Sequence, residues 1–151
     1  MNRHAPAAPP DPLLRTLADL RFELRRFLHF SECAALEVGL QPQQHQLLLQ
    51  VAGAPDETAV TIAYAAERLG LRHNSAVELV NRSVREGLLI RRADADDRRR
   101  AILHITHRGR QLLARLSDDH ARELNELGPR LERALRQIRL HAPTAAGLVA
   151  Q

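Results

Sequence analysis

The chain has 151 residues, a formal net charge of +4 and one cysteine, and all 22 of its basic residues are arginine against 18 acids. That length suits one domain with its own core, and a lone thiol excludes an internal disulfide framework and predicts a reducing, cytoplasmic setting. No apolar run reaches the roughly 18 residues of a membrane span, so no membrane partner is expected.

Residues 1–12, "MNRHAPAAPPDP", hold four prolines and predict a flexible lead-in. From Leu13 the apolar spacing becomes helical, with Leu13, Leu17, Leu20, Leu24, Phe27 and Leu28 on one stripe that continues to about Leu36 and stops by Gly39. Gln41 and Pro42 open a second helix that runs to Gly53, since proline in a first turn gives up an N–H that has no partner anyway. Thr61 is the predicted N-cap of a short helix ending at Leu69 and Gly70. Asn74 or Ser75 caps the next, whose Val77, Val80 and Val84 face inward until Gly87. Two short helices across a tight turn are a helix-turn-helix pattern.

After Gly87 the period changes to two. "LLIRRA" and "RAILHIT" are strand segments joined by the charged stretch at residues 94–99, and a hairpin placed directly after a helix-turn-helix is a wing. From His107 a long helical stretch carries Leu112, Leu113, Leu116, Leu124 and Leu127; Gly128 and Pro129 are predicted to break it before "RLERALRQIRL". The fold class is mainly α (α+β): a winged helix-turn-helix lobe over residues 41–106, flanked by helices over 13–40 and 107–140, then a tail over 141–151. The flanking helices carry more apolar stripe than a small winged helix covers, which predicts a homodimer.

The charge sits on the winged lobe. From Thr58 to Arg110 there are 11 arginines against 6 acids, whereas the rest of the chain has 11 against 12; the middle third therefore offers the field that a nucleic-acid backbone would meet. The major groove of B-DNA admits one helix, so the segment Asn74 to Glu86 is the reading element, with Arg72, His73, Asn74, Ser75, Glu78, Asn81 and Arg82 as contacts to bases and phosphates. Glu78 and Arg82, four residues apart, can alternatively pair with each other. At the wing tip, arginine suits the negative potential of a narrow minor groove, and Asp94 and Asp97 are expected to steer Arg98 or Arg99 into it. Arg91, Arg92 and Arg100 are left to phosphate or solvent.

The segments "ERLGL", "SAVELVNR", "EGLLIRR", "DADDRR" and "ILHIT" with the following glycine resemble the MarR family of bacterial transcriptional regulators over about Leu13 to Leu140. Its wing usually reads Asp-Pro-x-Asp-Arg-Arg, then a strand, Leu-Thr and a glycine. Asp94, Asp97, Arg98, Arg99, Thr106 and Gly109 match; Ala95 and Ile105 replace the proline and leucine. The resemblance implies a dimer on a palindromic double-stranded DNA operator, repression as the commoner mode, and a wing arginine in the minor groove. It also implies release by a small phenolic or carboxylate effector, for which Phe27, Phe30, His45 and Leu48, with Arg26 or His29 as polar anchors, are the candidate lining.

Other chemistries have less support. His29 and Cys33, with Glu32 or His45, are too few for a metal site, and Cys33 reads as a small buried hydrophobe. No Gly-rich phosphate loop, nucleophile elbow or metal-hydrolase pattern is present, so neither enzymatic activity nor a cofactor is expected. The alternative from another class is a winged-helix adaptor for an acidic protein partner. An apolar wing tip would favour it, and "DADDRR" is not one.

Overall fold

The computed structural model describes residues 11–95, 97 and 100–141. They form α1 (Pro12–Glu37), α2 (Pro42–Ala52), α3 (Ile62–Leu69), α4 (His73–Arg85), β1 (Leu89–Ala93), β2 (Ala101–Ile105) and α5 (His107–His141). The chain divides into two compact units. Phe30–Ala121 is one; residues up to His29 together with those from Arg122 make the other. No helix among the described residues is long and apolar enough to cross a membrane.

The unit Phe30–Ala121 has a continuous apolar core built from Ala35, Leu40, Leu47, Leu48, Leu79, Val80, Leu88, Leu89, Leu103 and Leu116, with smaller neighbours. Its local punctuation follows the sequence. Thr61 accepts the Tyr64 N–H at 3.2 Å and starts α3, and Gly70 ends it in the left-handed region at φ 63°, where a side chain would be strained. β1 and β2 pair antiparallel, Leu89 opposite Ile105 and Ala93 opposite Ala101. A further bond from Leu103 N to Val60 O at 2.8 Å ties β2 to the segment before α3.

The base of the hairpin is locked to the start of α5. Thr106 N donates to Leu88 O at 3.1 Å, its hydroxyl donates to Gly87 O at 2.7 Å, and the same oxygen accepts the Gly109 N–H at 3.1 Å. That last contact satisfies one of the N–H groups that a helix start leaves without a partner. Gly109 is buried there, so a Thr-x-x-Gly sequence fits both the cap and the close approach behind it.

In the other unit, Glu23 accepts from Arg130 at 3.1 Å and from Arg26 at 3.3 Å. Thr16 donates to Pro12 O at 2.9 Å and lies 3.1 Å from the Gln137 amide. Leu13, Leu20 and Phe27 of the apolar stripe are half-buried, but Leu17, Leu24 and Leu28 are exposed, as are Leu14 (64%) and Phe22 (60%).

Three local expectations are corrected. The helix does not break at Gly128–Pro129: α5 passes through both. A proline inside a helix costs about 3 kcal/mol, and the burial of Leu127 with half-buried Leu131 and Ala134 offsets it. The recognition helix begins at His73 with Arg72 at its N-cap position, rather than being capped by Asn74 or Ser75; only Leu71 and Arg72 separate it from Gly70. Cys33 is exposed, not buried. The lead-in at residues 1–10 and the tail from 142 lie outside the described residues, and Pro12 and His141 belong to helices.

Candidate nucleic-acid interface

α4 is amphipathic at helical spacing. Ala76, Leu79, Val80 and Ser83 are buried, and the Ser83 hydroxyl is satisfied by Leu79 O at 2.9 Å. The opposite face carries the predicted contacts: Arg72, His73, Asn74, Ser75, Glu78 and Arg82 are all exposed. Asn74 and Ser75 stand in the first turn, where backbone N–H groups and the helix dipole favour a phosphate. Among the described residues no ion pair joins Glu78 to Arg82, so both side chains are available to a ligand. Behind this face, the buried Gln44 amide donates to Glu86 Oε2 at 2.9 Å and its carbonyl accepts the Gln41 N–H at 3.0 Å. One side chain thus ties the start of α2 to the end of the recognition helix.

Asn81 differs from its neighbours on α4. It is half-buried, and its Oδ1 accepts a hydrogen bond from the Arg91 guanidinium of β1 at 2.7 Å. Periodicity placed Asn81 on the reading face but gave no sign of this partner.

The wing is closed below its tip by backbone bonds from Asp94 N to Arg100 O at 3.0 Å and from Arg100 N to Asp97 O at 2.8 Å. The Asp94 carboxylate, largely shielded from solvent, lies 3.6 Å from Arg100 Nε. The sequence left Arg100 to phosphate or solvent and gave no sign of this neighbour for Asp94. Arg98 and Arg99 themselves lie outside the described residues.

The residues named for an effector fall in different units. Arg26, Phe27 and His29 belong to the unit with the outer helices; Phe30, His45 and Leu48 belong to the winged one. Leu48 is fully buried in the apolar core. His45, 2% exposed, lies 4.9 Å from His120 between ring centroids, and Phe30 meets His120 edge-on at 5.5 Å. A carbonyl oxygen only accepts, so His120 Nδ1 carries a proton and donates to Leu116 O at 2.7 Å; Nε2, 2.8 Å from the Ser31 hydroxyl, is then its acceptor in the neutral ring. The sequence offered no route to this pair, since 75 positions separate the two histidines. Among the described residues no three of His, Cys, Asp and Glu converge as metal ligands.

Burial, with the neighbouring His120 adding to it, lowers the His45 pKa from 6.5 to about 4. The folded protein therefore disfavours the imidazolium, and as pH falls below 6.5 the unfolded chain takes up the proton first. Stability is lost progressively between pH 6.5 and 4, reaching up to about 2 kcal/mol at pH 5. Urea melts at pH 7.5 and 5 check this: His45→Gln should flatten the difference relative to wild type, and an equal acid loss in both proteins would refute the assignment.

Two helices across a tight turn, an exposed polar face on the second and a charged hairpin beside it define a winged helix-turn-helix DNA-binding protein. Comparisons with known proteins agree. The profile of the MarR family matches residues 38–100. A Thauera aromatica protein, named as a transcriptional regulatory protein for the hcr operon, is 31% identical over 125 residues that span 78% of this chain and 72% of that one. Among solved structures, the transcriptional repressor CouR bound to a 23-mer DNA duplex aligns with TM-score 0.62 and 28% identity over 81% of this chain and 84% of its own. The S. aureus MepR–DNA complex aligns with TM-score 0.66 and 19% identity over 80% and 88%. The chain belongs to the MarR family, and it is a DNA-binding transcriptional regulator.

Proposed function

We propose that the protein is a homodimeric repressor of a palindromic operator, with α4 in the major groove and the arginine-tipped wing in the adjacent minor groove. The observation that carries this reading is the face of α4, where Arg72, His73, Asn74, Ser75, Glu78 and Arg82 are all solvent-exposed beside the hairpin. Arg82 contacts a guanine or phosphate, Asn74 and Ser75 a phosphate, and Arg98 or Arg99 the minor groove, with Asp94 and Asp97 shaping the turn that presents them. Two such faces about one helical turn apart set the half-site spacing. We also propose that a small phenolic or carboxylate effector releases the DNA, with Arg26, Phe27, His29, Phe30, His45 and Leu48 as the residues to vary; the edge-on aromatic surroundings of Phe30 and His120 suit a planar ring.

The test is binding to genomic fragments that include the protein's own promoter, over a range of salt. Selective binding whose affinity falls steeply with salt, reduced roughly a hundredfold in Arg98→Ala/Arg99→Ala, is the expected result. A folded protein that prefers no fragment over random DNA would refute it and favour an acidic protein partner.

A further inference from the structure

Arg91 occupies a position where strand alternation calls for an apolar residue. It stands between Leu89 and Ala93 and opposite Leu103; Leu89, Leu103 and Ile105 are buried, whereas Arg91 and Ala93 are exposed, so this face of the hairpin passes from core to solvent at Arg91. Past Leu89, the Arg91 side chain reaches across to α4 and ends on Asn81 Oδ1 at 2.7 Å. The guanidinium is thus held in the trough between the recognition helix and the wing.

From this we propose, on the groove assignment given above, that Arg91 is a phosphate-binding residue aimed by Asn81, which acts as a positioning residue and not as a base reader. The strand that separates a major groove from the neighbouring minor groove is a sugar-phosphate backbone. A cation lying between the element in one groove and the element in the other faces that backbone. The choice of partner matters as much as the place. Asp94 compensates the charge of Arg100, but an amide oxygen orients a guanidinium without cancelling its charge, and among the described residues no carboxylate pairs with Arg91. Four of its five N–H donors stay open, enough for bidentate recognition of a phosphate.

The experiment measures the slope of log affinity against log salt for the full-length protein on a fragment it selects. Arg91→Ala should reduce the slope by about 0.9 for each chain bound and weaken binding roughly tenfold or more, while Arg91→Lys keeps most of the slope. Asn81→Asp, which retains the hydrogen bond but neutralises the arginine, should reproduce the slope loss of Arg91→Ala. Asn81→Ala should weaken binding in the wild-type background and add nothing to Arg91→Ala. An unchanged slope in Arg91→Ala, with selective wild-type binding intact, overturns this inference alone; additive losses from Asn81→Ala and Arg91→Ala overturn the positioning role. Absence of selective binding by the wild type overturns the operator reading and this inference together.

Discussion

Replacing Gly109 by alanine is expected to lower the melting temperature by about 5–15 °C, corresponding to about 2–4 kcal/mol. A Cβ on Gly109 would lie 2.6 Å from Leu88 O and 2.8 Å from Ile105 Cγ1. Neither neighbour can yield cheaply. Leu88 O already accepts from Thr106 N, and Ile105 is buried in the core at the end of β2. Alanine gains about 1 kcal/mol of intrinsic helix propensity over glycine, but a contact to backbone well inside van der Waals distance outweighs that gain. Thermal melts at matched protein concentration decide the matter. An unchanged or raised melting temperature in Gly109→Ala would mean that the junction between hairpin and α5 is looser than these distances allow.

The second large effect concerns assembly. For the homodimer proposed above, Leu14→Glu/Leu28→Glu should shift assembly from dimer to monomer in sedimentation and weaken operator binding about a thousandfold. Of the large apolar residues exposed among the described ones, eight fall in the unit formed by the outer helices: Leu14, Leu17, Phe22, Leu24, Leu28, Leu124, Leu135 and Leu140. Leu14, Leu17, Leu24 and Leu28 follow one another at spacings of three, seven and four residues, the pattern of a helix face that meets another helix. A contiguous apolar surface of this kind marks an association site, and carboxylates placed on it oppose burial. The loss of affinity is steep because a monomer gives up the linked second half-site, a linkage that contributes about 10²–10⁴ in avidity. Full dimerisation with undiminished binding would move the interface elsewhere.

Where the sequence was informative, the signal was local. Thr61, Gly70 and Gly87 punctuate α3 and α4 through caps and backbone conformation, and the change of period after Gly87 marks the hairpin. Thr106 and Gly109 were visible as a pattern, although what they touch was not. The failures share a cause of the opposite kind. Pro129 carries a strong local breaking signal, which neighbouring packed side chains override. The exposure of Cys33 depends on which face of α1 is covered. The Asn81–Arg91 contact joins elements of different period. Its one trace in the sequence is a charged residue in register with the apolar positions of an alternating strand.

The pairing of Asp94 with Arg100 bears on discrimination between duplexes. A carboxylate 3.6 Å from the guanidinium is a resident competitor for any incoming phosphate, and it has the same charge sign and similar acceptor geometry. Random duplex offers this arginine little that it does not already have. The exchange of one anion for another returns almost nothing unless the rest of the surface is seated at the same time. For the wing–groove contact proposed above, a counter-anion of its own would lower the stickiness of Arg100 toward the vast excess of wrong sites and leave the discriminating work to residues that lack one.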